Sequence, residues 1–273
     1  MSEHVISIIG AGNMGTSLLA GLLRGKFLSS NLWLTDPHVE KLQQLKQQFA
    51  VYVTTNNEEA VQVADVIILA VKPNTVRSVL ESVSSMMQQK KRLIISVAAG
   101  VREKNLQTWA GGHTAIVRCM PNTPALIGAG ATALYANDFV SAEQRELAES
   151  ILQAIGLTVW LTDENEIDIV TAFSISVQSY FFLIIELMQA AVEKIGLSPE
   201  VSRMLTLQTA YGAGRMALES KESVSELRRR VTSKGGTTQA AIDVFEKNNL
   251  REIIEEALEA ACLRSKELGS VEN

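Results

Sequence analysis

The sequence predicts an α/β fold in which a doubly wound parallel sheet is followed by an all-helical region. Two observations support this prediction. Short, nearly continuous apolar runs alternate with helical segments in residues 1–163, and only long helical patterns follow in residues 164–273. Strands that are apolar on both faces are typical of parallel sheets covered by helices, and right-handed crossovers then favour a doubly wound order. We therefore expect two domains, residues 1–163 and 164–273.

Six strands are predicted in the first domain. They cover residues 5–9, 32–35, 66–71, 93–97, 115–119 and 158–161. The segments between the first five are long enough for helical crossovers. Ser141 and Gln144 have the spacing of a capping box, which predicts a helix that begins there and ends at Gly156.

The helices of the second domain are predicted from their capping residues. A helix over residues 167–195 ends at Gly196. The Ser-Pro pair at 198–199 begins the next helix, and Ser223 with Glu226 forms another capping box. In the final helix the apolar residues recur every three or four positions and form one stripe. This stripe consists of Leu250, Ile253, Ile254, Ala257, Leu258 and Ala261.

Composition excludes several classes of function. The 273 residues are 47% hydrophobic, and 30 acidic against 25 basic residues give a net charge of −5 without a basic band, so we expect no nucleic-acid partner. The two cysteines, Cys119 and Cys262, form no CxxC motif or Cys/His cluster, so we expect neither disulfides nor a metal site. The sequence begins without a secretory signal pattern, which predicts a cytoplasmic protein.

One apolar segment bears on membrane association and on assembly. Residues 169–185 carry no charge over 17 positions, close to the lower limit for spanning a bilayer. Because serine, threonine and glutamine are scattered through it, we expect a buried helix and no membrane partner. A helix that is apolar nearly all round needs neighbours on every side, which predicts at least a homodimer.

A glycine-rich segment predicts a dinucleotide site. Residues 10–15 read GAGNMG, directly after the first strand and before a helical run. Glycines at this spacing permit a tight turn, close approach to a pyrophosphate and close packing of the helix, whose N-terminus offers free N–H groups. The acidic residue expected on the ribose is Asp36, at the end of the second strand. This context favours a Rossmann-type domain.

Asp36 also bears on the choice of dinucleotide. A carboxylate there accepts hydrogen bonds from both ribose hydroxyls, whereas a 2′-phosphate meets like charge and needs an arginine. The next residues, Pro37 and His38, provide none, so NADH is favoured over NADPH. Two alternatives stay open: a protonated His38 supports a phosphate, or Asp36 only caps the following helix.

Five segments together resemble the pyrroline-5-carboxylate reductase family, which reduces a cyclic imine to proline. They are IIGAGNMG at 8–15, LAVKP at 69–73, SVAAGV at 96–101, RCMPNTPALIGAGAT at 118–132 and VTSKGGTT at 231–238. They occur in the family order over almost the whole chain. The resemblance implies reduction of 1-pyrroline-5-carboxylate with NADPH or NADH, and a Rossmann domain followed by a helical dimerisation domain.

The resemblance also implies roles for individual residues. The cofactor residues it implies are Gly10, Gly12, Asn13, Met14, Gly15, Asp36, Asn56, Val71, Lys72, Pro73, Ala98, Ala99 and Asn122. Of these, Ala98, Ala99 and Asn122 would face the nicotinamide. The substrate residues it implies are Ser233, Gly235, Gly236, Thr237 and Thr238.

The substrate segment has a physical rationale. Two glycines before a helix leave a nest of unpaired N–H groups that suits a carboxylate, and the resemblance places the Thr238 hydroxyl at the ring nitrogen as the catalytic group. The plainer alternative is a turn followed by a threonine helix cap.

Two departures from the family pattern fall on the substrate side. The family usually carries SGSGPAY where residues 174–180 read SISVQSY, so both glycines and the proline are replaced, by Ile175, Val177 and Gln178. A helix is therefore expected to run through this segment, and any pocket there is expected to be narrower or differently shaped. Lys234 replaces a proline of the family; it either favours a substrate with a second anionic group or is simply solvated.

These departures keep two other functions open. The first is a reductase of a related imine or hydroxyacid. A hydroxyacid dehydrogenase would need a lysine on the first long helix of the second domain, where only Lys194 at the far end is available. The second alternative function is that of a paralogue that binds dinucleotide with little catalysis.

Overall fold

The computed structural model describes residues 4–25 and 27–271, and the side chains of all of these except residues 172, 174–176, 262 and 265–271. The chain divides into two compact units, Met1–Ile175 and Ser176–Asn273. The first is α/β and the second is entirely helical in its described residues, so the predicted fold class is confirmed.

The first unit is built on one eight-stranded sheet with the order β3-β2-β1-β4-β5-β6-β7-β8. Only the β6–β7 pair is antiparallel, and the other six neighbouring pairs are parallel. The strands are β1 Ile6–Ile9, β2 Leu32–Thr35, β3 Tyr52–Thr54, β4 Val66–Leu69, β5 Leu93–Ser96, β6 Ala115–Met120, β7 Gly130–Ala136 and β8 Gly156–Trp160.

Helices cover both faces of this sheet. They are α1 Asn13–Arg24, α2 Val39–Phe49, α3 Asn57–Val63, α4 Pro73–Met87, α5 Glu103–Trp109 and α6 Ala142–Gln153. Leu18 and Leu22 of α1 belong to the core on one face, and Val76 and Leu80 of α4 belong to the core on the other. Because β1, β4, β5 and β6 are buried on both sides, their sequences are almost continuously apolar.

Three details of the sheet differ from the sequence prediction. β3 was not predicted because it has three residues and pairs only with β2. β7 was not predicted because its sequence, GATALYA, has few large apolar residues. The helix expected to end at Gly156 ends at Gln153, since Gly156 has φ +147° and opens β8. A Cβ at Gly156 would lie 2.0 Å from the Gly130 carbonyl oxygen, so glycine is required there for the β7–β8 pairing.

The remaining helices are α7 Glu164–Ile195, α8 Pro199–Glu219, α9 Val224–Arg230, α10 Thr237–Lys247 and α11 Leu250–Val271. The predicted caps are confirmed: Ser198 accepts from the Val201 N–H, and Ser223 with Glu226 forms a capping box. Likewise Ser141 and Gln144 form the capping box of α6.

Helix α7 runs without interruption through residues 174–180, as the loss of the family's glycines and proline predicts. It begins three residues earlier than expected, at Glu164. The side chain of Ile175 lies outside the described side chains, whereas Val177 and Gln178 are half-buried. Among the helices of the described residues, none is both long and apolar enough to cross a membrane.

Candidate functional site

The cofactor residues implied by the sequence lie along one edge of the sheet in the first unit. Each of six parallel strands ends at this edge, and a predicted cofactor residue follows each of them. In the spatial order of the strands these residues are Asn56 after β3, Asp36 after β2, Gly10–Gly15 after β1, Val71–Pro73 after β4, Ala98–Ala99 after β5 and Asn122 after β6. Ligands of open α/β sheets bind outside the carboxyl ends of the strands, which is where this row of residues lies.

The glycine loop between β1 and α1 has the geometry that each position requires. Gly10 has φ +105°, and a Cβ there would lie 2.6 Å from the Ala70 carbonyl oxygen. A Cβ at Gly15 would lie 1.9 Å from the Gly10 carbonyl oxygen, so α1 packs directly on the loop. At Gly12 a Cβ would meet nothing within 4 Å, and α1 begins at the next residue. The open side of the loop and the helix N-terminus together suit a pyrophosphate.

The Asp36 carboxylate is bonded to the glycine loop. Its Oδ2 accepts from the Ala11 N–H at 3.0 Å, and its Oδ1 accepts from the His38 N–H at 3.0 Å and lies 2.7 Å from His38 Nδ1. Burial acts to raise the pKa of Asp36, but the hydrogen bonds from His38 and Ala11 and the charge of Lys41 outweigh it and place the pKa below its ordinary value. The side chain therefore stays ionised at neutral pH.

The predicted cofactor residues on either side of the glycine loop lie at or next to the N-termini of two helices. Asn56 is the N-cap of α3 and its side chain accepts from the Glu58 N–H at 2.9 Å. Lys72 occupies the N-cap position of α4, and Pro73 is the first residue of that helix. Val71 lies beside Gly10, with its Cγ1 2.9 Å from where a Gly10 Cβ would be. These helix starts point N–H groups at the same edge of the sheet.

The segments expected to face the nicotinamide follow β5 and β6. Ala98 is buried and Ala99 packs against the cluster of Met120, Ala133 and Ile167. Asn122 stands at the start of a 3₁₀ turn, Thr123–Ile127, and its Oδ1 accepts from the Ala131 N–H at 2.9 Å. This bond ties the turn to β7 and fixes the position of the Asn122 side chain.

The implied substrate residues lie together in the second unit. Gly235 has φ +72°, and Gly236 occupies the N-cap position of α10 with no side chain to cap it. Thr237 and Thr238 are the first residues of α10; Thr237 is exposed and Thr238 is half-buried. Ser233 accepts from the Gly236 N–H through its carbonyl oxygen at 3.0 Å. The open first turn of α10 is chemically suited to a carboxylate.

A buried arginine on β6 forms an ion pair that was not singled out from the sequence. Arg118 is only 2% exposed, its Nη1 pairs with Glu164 Oε1 at the start of α7, and its Nη2 lies 3.7 Å from Asp168 Oδ1. The rest of β6 is apolar, with the sequence AIVRCM. A charged residue inside a buried strand was therefore the one signal in the sequence that pointed to this pair.

The same turns of α7 hold the residues at the start of α5. Glu164 Oε1 also accepts from the Glu103 N–H at 2.6 Å. Arg102 donates to Asn165 Oδ1 at 2.9 Å, and its Nη2 lies 2.9 Å from Asp168 Oδ2. The segment between β5 and α5, which contains Ala98 and Ala99, is thus attached to α7 at its far end.

Neither the buried cysteine nor a surface cavity on α8 belongs to the implied site. Cys119 is fully buried and its thiol contacts the Ser96 carbonyl oxygen, and burial raises its pKa far above the ordinary value, so it is no nucleophile. A surface cavity of about 570 Å³ lies along α8, lined by Met204, Leu207, Tyr211 and their neighbours, and contains none of the implied site residues. In the described part of the chain, no group of three or more His, Cys, Asp or Glu side chains has a geometry suited to a metal ion.

Comparison with known proteins places the chain in a family. A family model described as pyrroline-5-carboxylate reductase dimerisation matches residues 164–268, and one described as NADP oxidoreductase, coenzyme F420-dependent, matches residues 5–100. The pyrroline-5-carboxylate reductase of Pseudomonas aeruginosa is 47% identical over 268 residues, 98% of each chain, and that of Haemophilus influenzae is 38% identical over 269 residues.

Solved structures agree with these matches. A pyrroline-5-carboxylate reductase from Coxiella burnetii has a TM-score of 0.94 and 43% identity, covering 98% of this chain and 99% of that one. The Plasmodium falciparum pyrroline carboxylate reductase, solved with NADP bound, has a TM-score of 0.82 and 31% identity, with the same coverage. The glycine loop, the row of residues along the sheet edge and these full-length similarities lead to one conclusion: the chain belongs to the pyrroline-5-carboxylate reductase family.

Proposed function

We propose that the protein reduces 1-pyrroline-5-carboxylate to L-proline by hydride transfer from NAD(P)H, the last step of proline biosynthesis. The observation that carries the proposal is the row of cofactor residues along the carboxyl edge of the sheet. This row includes Gly10 and Gly15, where a side chain would collide with backbone carbonyl groups. The chain is also 47% identical over 98% of its length to a pyrroline-5-carboxylate reductase. We further propose that the reaction takes place in the cytoplasm, as expected from the sequence.

Residues 1–163 are proposed as the dinucleotide-binding domain and residues 164–273 as the dimerisation and substrate-binding domain. The match of the dimerisation family model, which begins at residue 164, supports this division. The compact first unit extends further along α7, to Ile175.

The residues that bind the dinucleotide are proposed in three groups. Gly12, Asn13 and Met14 present the N-terminus of α1 to the pyrophosphate, with Gly10 and Gly15 shaping the loop. The adenosine side is assigned to Asp36 and Asn56, and the middle to Val71, Lys72 and Pro73. The nicotinamide side is assigned to Ala98, Ala99 and Asn122. When bound, the reduced dinucleotide supplies the hydride.

The substrate is proposed to be held by the segment that ends in α10. The open N–H groups of Thr237 and Thr238 bind the imine's carboxylate, and the Ser233 carbonyl oxygen holds the Gly236 N–H in the turn at Gly235. The Thr238 hydroxyl accepts a hydrogen bond from the protonated ring nitrogen, which keeps the C=N carbon electrophilic. Such chemistry depends on positioning and on exclusion of water, and needs no nucleophilic triad.

The proposed role of Thr238 predicts the result of two substitutions. Thr238→Ala is expected to lower kcat/KM for the imine by about 100-fold, since one oriented hydrogen-bonding group is lost, and to leave the dinucleotide Kd unchanged. Thr238→Ser keeps the hydroxyl and serves as the matched control, with a loss of less than about tenfold. Equal effects of the two substitutions on turnover would contradict the role of the hydroxyl.

NADH is proposed as the preferred dinucleotide because of Asp36. Its carboxylate is ionised at neutral pH, and like charge disfavours a 2′-phosphate beside it. Hydrogen bonds from Ala11 and His38 occupy part of its acceptor capacity and fix its orientation, and lone pairs remain for ribose hydroxyls. Lys41 and a protonated His38 are the positive groups near Asp36 that would favour NADPH instead.

The function and the cofactor preference are tested together by steady-state oxidation of NADH and NADPH with pyrroline-5-carboxylate. The wild type is expected to turn over with both and to favour NADH. Asp36→Asn is expected to shift the ratio of the two kcat/KM values toward NADPH by about tenfold, equivalent to about 1.4 kcal/mol. Because the pKa of Asp36 is lowered, its carboxylate loses charge only below the ordinary carboxyl range, so the contribution of this carboxylate to the preference is expected to be constant from about pH 5 to pH 8.

Glu40→Gln is the control for Asp36→Asn, since it removes an exposed carboxylate from the first turn of α2, close in sequence, and is expected to leave the ratio unchanged. A wild type that favours NADPH would overturn the proposed preference. Dinucleotide binding without any turnover would instead favour a related imine or hydroxyacid as substrate, or a paralogue with little catalysis.

The protein is proposed to form a homodimer, or a larger homo-oligomer, through its helical domain. In the single chain, large apolar side chains on α7 and α8 are more than half exposed, among them Phe181, Phe182, Met204 and Tyr211. Burying one such side chain contributes about 1.5–3 kcal/mol, so leaving all of them in water is unfavourable. The family's dimerisation model covers both helices.

Light scattering with size-exclusion chromatography checks this assembly. The wild type is expected to elute at twice the chain mass or more at micromolar concentration. Phe182→Glu is expected to weaken self-association by at least about tenfold, because a charge would be buried, whereas Glu81→Gln on α4 of the first unit is expected to have no effect. A wild-type monomer at this concentration would refute the proposal.

A further inference from the structure

The Arg118–Glu164 pair is not explained by stability alone. The Arg118 side chain is buried inside the sheet core, with Glu164 and Asp168 as its charged neighbours. Replacing a buried ion pair by apolar residues of similar size is often neutral or stabilising, because desolvation of the two charges offsets their attraction. Fold stability is therefore not a sufficient reason for an ion pair at this position, and its contacts point to another contribution.

The contacts of Glu164 suggest what that contribution is. One oxygen, Oε1, is bonded both to Arg118 on β6 and to the Glu103 N–H at the start of α5. The segment that ends at Glu103 contains Ala98 and Ala99. The strand that carries Arg118 ends two residues later and is followed by Asn122. A single carboxylate thus connects the two segments proposed to face the nicotinamide.

Neighbouring contacts reinforce the same connection. Arg102 is bonded to Asn165 and Asp168, one turn apart on α7. Ala99 also packs against an apolar cluster that contains Met120, at the end of β6, and Ile167 of α7. In the parallel pairing of β5 with β6, Arg118 lies directly opposite Ser96, the last residue of β5. The first turns of α7 therefore hold the ends of both segments by polar and apolar contacts.

We propose that Glu164, together with Arg118, is a positioning residue that fixes the two nicotinamide-side segments relative to each other. This proposal rests on the proposed function. Neither residue touches the reacting atoms; they act through the backbone that carries Ala98, Ala99 and Asn122. Hydride transfer is sensitive to donor–acceptor geometry, and a displacement of about 1 Å lowers a rate by about 100-fold. In the described part of the chain, Asp36 on the adenosine side is bonded to Ala11 and His38, which lie outside this network.

A first test measures binding and needs no turnover. NADH and ADP-ribose, which lacks the nicotinamide, are titrated into the wild type and into Glu164→Gln. The variant is expected to bind ADP-ribose as the wild type does and NADH at least about threefold more weakly, with emission of the bound nicotinamide closer to that of free NADH. Equal changes in the two Kd values, or no change in either, would overturn the proposal.

A second test measures kinetics. Glu164→Gln is expected to lower kcat by about 10- to 100-fold and to raise the primary isotope effect of NADH deuterated at the transferred position, because hydride transfer becomes rate-limiting. Glu149→Gln is the matched control: its carboxylate is bonded to Trp160 and Thr158, outside the network, and kcat is expected to stay within about twofold of the wild type.

A double variant separates positioning from stability. Arg118→Met with Glu164→Met removes both charges, so the buried guanidinium is not left unpaired, and the Tm is expected to be close to that of the wild type. The low kcat and the weakened NADH binding are expected to persist, because the shared carboxylate is gone. Recovery of kcat together with Tm would assign the pair a purely structural role. If the wild type binds NADH but shows no turnover, the proposed function is wrong. The comparison of NADH and ADP-ribose binding then still tests whether Glu164 positions the nicotinamide-side segments.

Discussion

Burial of the sheet on both faces is the constraint on which the rest of the first unit depends. Strands such as β1 and β4 are buried and mostly apolar, and they offer few polar groups to a ligand. Polar groups and open N–H groups are consequently concentrated where the strands end and the helices begin. The order of the strands then arranges those ends in one row, and a long ligand such as a dinucleotide needs such a row.

Much of this was predictable because local physical rules determine it. Continuous apolar runs predicted β1, β2, β4, β5 and β6, and side-chain caps predicted the starts of α6, α8 and α9. The glycine loop was predictable because positive φ and close backbone contacts leave few other residues possible at Gly10 and Gly15. The placement of the predicted cofactor residues at one edge followed from the topology.

What escaped prediction depends on long-range pairing. β3 and β7 become strands because a neighbouring strand accepts them, since their own sequences carry a weak signal. Gly156 was predicted to end a helix because glycine commonly does so. In the structure a glycine is needed there because the Gly130 backbone lies too close for a Cβ atom. Arg118 and Glu164 are 46 positions apart, and no sequence spacing links them. The bond between the Ala11 N–H and Asp36, which joins the glycine loop to the second strand, is equally invisible in a linear pattern.

The position of Glu164 at the start of α7 affects where the chain can be truncated. A fragment that ends at residue 163 would retain Arg118 in the core of the sheet and lose both carboxylates that neutralise it. A buried guanidinium left without a charged partner is destabilising, and ordinary domains are only marginally stable. A fragment that extends to Ile175 keeps the pair and the apolar contact of Ile167. The proposed dinucleotide-binding domain is thus expected to fold alone only with a short piece of α7 attached.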